Sequence, residues 1–137
     1  MATQSRSKAL REFVAKPSWN PLEVLGDARA LATAGGGLVA YLKRKWAYKR
    51  YRAVFGVAQR HPETGAIIYY AINEDGTTDT TKQVAGAHMN RIAFNAIGVV
   101  AASVIILQAR EPILDYFALG VIASDGANIV LLAANLE

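Results

Sequence analysis

Cysteine is absent from this 137-residue chain, which excludes a disulfide framework, a thiolate nucleophile and a cysteine-held metal. Histidine is scarce. His61 and His88 lie far apart in sequence, and neither has a partner at ligand spacing, so both read as turn or helix-surface residues. The glycine run Gly35-Gly36-Gly37 lacks the Gly-Lys-Ser/Thr ending of a phosphate-binding loop. Glu74, Asp75 and Asp79 cluster, but without the twelve-residue calcium-loop pattern, so they read as turn residues. With no paired acid and base and no activated nucleophile in view, no enzyme activity, metal or cofactor is expected. Residues 1–16 also lack the apolar run of a secretory signal peptide.

Two further absences concern charge. Residues 28–62 carry eight Lys/Arg and no acid, and residues 92–109 carry no charge of either sign. An 18-residue helix without charge is about 27 Å long, close to the ~30 Å hydrocarbon core of a bilayer. Apolar residues make up 53% of the chain and charged residues 19%. A typical soluble domain is less apolar and more charged, so either membrane burial or a large subunit interface is expected. The net charge of +4 favours an anionic partner because the positive groups are concentrated rather than spread.

Along the chain the reading is mainly α with a small β-hairpin. It has an N-terminal arm over residues 1–20, a basic helical region with the hairpin over 21–81, and an apolar C-terminal hairpin over 82–137, all one folding unit. The arm holds a short amphipathic helix over 7–16, ended by Pro17. Asn20, Pro21 and Glu23 are placed to start a helix over 21–34 as N-cap, first helical residue and capping-box acid. The three glycines then mark a helix break or a point of close packing, since each costs about 1 kcal/mol in a helix interior. A basic helix resumes over 38–52. Two strand-like runs, 53–59 and 67–72, flank a Pro/Gly turn, and Asp75-Gly76 turns the chain again, so a hairpin or small meander is expected. Thr80 or Thr81 is placed to cap a last helical region that begins near residue 82.

The two apolar segments, 92–109 and 113–136, read as an antiparallel helical hairpin turning at Arg110-Glu111-Pro112. Gly98 with Ala102, and Gly120 with Ser124, form small-xxx-small pairs suited to close contact between these two helices. The alternative is a core or subunit-interface helix in a soluble assembly. Asp125 would sit near the middle of the second span at a cost of roughly 2.5–3.5 kcal/mol. Asp125-Gly126 therefore reads first as a turn between short strands at 121–123 and 129–132 or a break in a re-entrant helix, and second as an ion or proton site.

Lys43, Arg44, Lys45, Lys49, Arg50 and Arg52 interleave with Trp46, Tyr48 and Tyr51. On a helix these charges point in nearly every direction, so no face of the segment is expected in a dry core. It reads as a contact for anionic lipid, with aromatic residues at headgroup depth. Sequence-nonspecific nucleic-acid binding and a merely solvated face are the alternatives. The function expected is a noncatalytic, membrane-anchored structural or accessory subunit. Its partners would be other subunits or copies of itself, with the basic region on the cytoplasmic or equivalent side. The alternative is a self-assembling virion or filament subunit whose basic helix contacts nucleic acid.

Overall fold

The computed structural model describes residues 27–137, so the expected N-terminal arm and the helix start at Asn20-Pro21 lie outside the described residues. The described elements are α1 (Ala28–Arg50), α2 (Arg52–Phe55), β1 (Val57–Arg60), β2 (Ile67–Ile72), β3 (Thr78–Gln83), α3 (Ala87–Gln108) and α4 (Pro112–Ala133). The protein is mainly helical with a small antiparallel sheet and two apolar C-terminal helices, as its sequence predicts.

Asp27 caps α1, its Oδ1 accepting from the Arg29 backbone N–H at 2.8 Å. The helix then runs 23 residues straight through Gly35-Gly36-Gly37, so the expected break is not there. The close-packing alternative accounts for the glycines. A Cβ on Gly36 would lie 1.9 Å from the Phe117 carbonyl oxygen, and one on Gly120 would lie 1.8 Å from that of Thr33. Backbone therefore meets backbone where α1 crosses α4, and the contact offsets a local cost of about 1 kcal/mol per glycine. Successive contacts, Gly36 with Phe117 and then Lys43 with Asp125, advance together along both chains, so α1 and α4 run parallel.

The α3 helix packs on the same α4, antiparallel to it, after a connection of only Ala109, Arg110 and Glu111. Glu111 caps α4 and Pro112 takes the first helical turn, where its missing N–H costs nothing. The 22 residues of α4 continue through Ser124-Asp125-Gly126 without interruption. Neither the turn reading of Asp125 nor the short strands around it survives. A helix interior satisfies every peptide group of this apolar stretch, which a turn there would leave open.

The sheet has order β1-β2-β3, all antiparallel. Val57 pairs with Tyr70 and Arg60 with Ile67 around the His61–Gly65 turn, and a bulge between Tyr70 and Ala71 shifts the register to β3. Two expected boundaries move. Residues 52–55 form a helical turn before β1, and Thr80, Thr81 and Lys82 lie in β3 rather than at a helix start. Gly56, at φ 67° and ψ 178°, joins α2 to β1 in a conformation that is essentially open only to glycine. The sheet sits at the end of the bundle where α1 and α4 finish and α3 begins, joined there by the Asn135 side chain to Ile67 N–H and by the residues of the next section.

Candidate functional site

The interior of the three long helices is made mostly of small and polar residues, with Tyr116 and Leu132 of α4 as its large buried side chains besides. Ala30, Gly36, Ala40 and Ala47 are the buried positions of α1, and Ala87, Arg91, Asn95, Gly98 and Ala102 those of α3. Among the largest completely enclosed side chains, Asn95, Asp115 and Asp125 stand beside a single aliphatic residue, Leu132. Leu31, Leu38, Val39, Leu42, Ile97, Val100, Val104, Leu107, Val130 and Leu131 face outward instead.

Asp125 is wholly buried, and both its oxygens are engaged. Oδ2 accepts from Lys43 Nζ at 2.9 Å and Oδ1 from Arg44 Nη1 at 2.7 Å, while Ser124 Oγ accepts from the same Arg44 nitrogen at 3.2 Å. Gly98 of α3 supplies the room, since a Cβ there would collide with Asp125 Oδ2. Two cations on one carboxylate keep the buried charge compensated, the condition under which such a group is tolerated.

Toward the sheet the polar seam continues. Asn95 Nδ2 donates to Tyr48 Oη at 2.8 Å and to the Arg91 carbonyl at 2.7 Å. The Arg91 guanidinium lies between two aromatic rings, 4.2 Å from the centroid of Tyr48 and 4.5 Å from that of Tyr69. It donates to the carbonyls of Phe55 and Gly56 and pairs with Glu137 Oε1 at 3.0 Å. One side chain thus ties α1, the α2–β1 joint, β2 and the end of the chain to α3. Burial, with a smaller contribution from the Glu137 carboxylate, pushes the Tyr69 hydroxyl above the usual tyrosine pKa, against the opposing pull of Arg91.

Beside this seam opens a cavity of about 460 Å3. One face of α1 forms a wall, with Tyr41, Arg44, Lys45, Tyr48 and Lys49 at helical spacing, and Arg52 at the start of α2 extends it. Gly56, Val57 and Ala58 form the roof, Arg91 and Asn128 the back, and Glu137 a lip. Five cations and one carboxylate line it, and two of its buried polar atoms, Asn128 Nδ2 and Glu137 Oε2, have no hydrogen-bond partner among the described residues.

The basic stretch therefore divides by direction. Arg44, Lys45, Tyr48, Lys49 and Arg52 face the cavity, and Lys43 turns in to Asp125. Trp46, 61% exposed, stacks edge-on with Tyr51 on the outer surface, where Arg50 lies 5.5 Å from the Tyr51 ring. The expectation that no face of this segment enters a dry core is corrected: Ala40 and Ala47, two turns apart, are buried on either side of the Lys43/Arg44 pair. Of the small residues, Gly98 and Ala102 are buried on α3, but Gly120 meets Thr33 and Gly37 of α1, and Ser124 binds Arg44 of α1. That pair serves the α1–α4 contact rather than the expected α3–α4 one. Sequence reading did not single out Arg91, Asn95 or Asn128, although polar groups inside apolar helices were the available signal. Among the described residues no group of acids and histidines could hold a metal ion. No protein-family model matches the chain, and no curated protein or solved structure matches it.

Proposed function

We propose that this chain is a noncatalytic, membrane-anchored structural or accessory subunit, with α3 and α4, and the uncharged part of α1 beside them, embedded in the bilayer. Both α3 and α4 are long and apolar enough to cross a membrane, a test that a soluble core helix also passes. The observation that carries the reading is which way the apolar residues face. Only 22% and 33% of the apolar windows of α3 and α4 are buried inside the structure, whereas a soluble core helix would hide most of its apolar surface. Between the helices lie mostly small residues with a few charged and amide side chains, while many of the large aliphatic ones face outward. In water that surface would be an extensive exposed apolar belt, while in lipid it needs no further partner. The basic stretch lies at the sheet end of the belt, and the positive-inside tendency makes that a reason to assign the sheet to the cytoplasmic or equivalent side.

Flotation of the full-length chain with neutral phosphatidylcholine liposomes in high salt tests this, because salt screens electrostatic adsorption and leaves apolar insertion. The chain is expected to float and to need detergent for extraction. Recovery as a soluble oligomer without detergent would overturn the reading and assign the belt to contacts between copies of the chain, as in a virion or filament subunit.

A further inference from the structure

The geometry points to the cavity beside α1 as a binding site for the headgroup of an anionic phospholipid, with the phosphate held by Lys45, Lys49 and Arg52. The inference rests on the membrane reading and adds to it a defined ligand site. These three cations pair with no carboxylate among the described residues, whereas Lys43, Arg44 and Arg91 each have one. Lys45 and Lys49 lie one turn apart on α1, and Arg52 at the start of α2 lines the same cavity, so three cations without a carboxylate repel each other until an anion joins them.

Asn128 is the independent sign of a missing ligand. It is 8% exposed, it lines the back of the cavity, and its Nδ2 has no acceptor among the described residues. A buried amide donor left open costs about as much as a lost hydrogen bond, and a phosphate or ester oxygen is the acceptor that the surrounding cations would bring there. Glu137 Oε2, also buried and open, offers the complementary acceptor for a headgroup hydroxyl. The site thus asks for phosphate and hydroxyl together, as in phosphatidylglycerol, rather than for the quaternary ammonium of phosphatidylcholine, which would meet the cations.

Position decides between a lipid and a soluble phosphate ester. The cavity lies where the apolar belt ends, and its lower wall is Tyr41, with exposed Leu38 one turn further along the same face of α1. A phosphate in the cavity would leave its acyl chains on that apolar track, whereas a soluble ester has no use for it.

The test inserts the full-length chain into phosphatidylcholine vesicles carrying a minor fraction of phosphatidylglycerol, extracts it in nonionic detergent, and counts retained lipid by native mass spectrometry. One phosphatidylglycerol per chain is expected, enriched well beyond its share of the vesicle. Each of Lys45→Gln, Lys49→Gln and Arg52→Gln should weaken retention about fivefold, and Arg50→Gln on the outer surface should not. Failure to insert would defeat the membrane reading and this assignment with it. Insertion without headgroup preference, or preference unchanged in the triple variant, would defeat the assignment alone. Displacement of the lipid by glycerol phosphate would reassign the cavity to a soluble ester, and displacement by single-stranded oligonucleotide to nucleic acid.

Discussion

Gly98 and Asp125 face each other so closely across the α3–α4 contact that a Cβ on Gly98 would lie 1.9 Å from Asp125 Oδ2 and 2.6 Å from Lys43 Nζ. The glycine is thus the space in which the ion pair forms. Gly98→Ala should push the carboxylate away from Lys43 and lower stability by about 1–3 kcal/mol, the range for overpacking. Gly126→Ala is the control. It lies one residue from Asp125 in the same helix, but an added methyl meets nothing within 4 Å. Helix propensity alone should then raise stability by about 0.5–1 kcal/mol. Thermal unfolding of both variants in detergent separates the outcomes, and equal shifts in the two would refute the assigned role of Gly98.

Removing the carboxylate should cost more than removing the whole cluster. Asp125→Asn leaves Lys43 and Arg44 facing a neutral amide, and breaking a buried pair in this way costs roughly 3–5 kcal/mol. Replacing all three residues by apolar ones of similar size should recover most of that loss, since no charge is left uncompensated. A triple variant as unstable as Asp125→Asn would mean that the cluster does more than neutralise itself.

Helix α3 was legible because the signal is local: an apolar run of 18 residues without a turn signal is too long for a single strand. The hairpins were legible for the same reason, each turn being marked by Pro62 and Gly65 or by Asp75-Gly76. The course of α1 was not. Three glycines weaken a helix by about 1 kcal/mol each, and what offsets that cost is Phe117 and Gly120, roughly eighty residues further along the chain. Asp125 was misread for the same kind of reason. Asp-Gly is a turn signal when its carboxylate has no partner, and Lys43 and Arg44 are distant in sequence. The concentration of positive charge in the basic stretch was legible, but its division among cavity, ion pair and outer face depends on which side of α1 the α4 helix occupies. Composition does not encode that side.

Tyr69 sets an alkaline limit. Its pKa is raised above the ordinary value near 10, first by burial and then by Glu137. A group whose folded pKa lies above its unfolded one contributes fully below the unfolded value and loses that contribution as pH rises through the folded one. The melting temperature should therefore fall as pH climbs past 10, and Tyr69→Phe, which keeps the ring beside Arg91, should fall less steeply. Parallel curves for the two proteins above pH 10 would remove Tyr69 from the account.

The joint between bundle and sheet depends on Arg91, and lysine should not replace it. The guanidinium serves two carbonyls and a carboxylate at once while stacked between Tyr48 and Tyr69. An ammonium is a compact, strongly hydrated charge that cannot present this planar fork. In Arg91→Lys the backbone acceptors at Phe55 and Gly56 lose charge-assisted hydrogen bonds worth about 1.5–3 kcal/mol each. The loss is local. The contacts at Gly36, Gly120 and Asp125 lie elsewhere in the bundle, so the sheet should loosen while the helices stay packed. Limited proteolysis would detect this as faster cleavage within residues 57–83 and unchanged protection of residues 92–133. Uniform loss of protection along the chain would instead make Arg91 part of a single cooperative unit that includes the bundle.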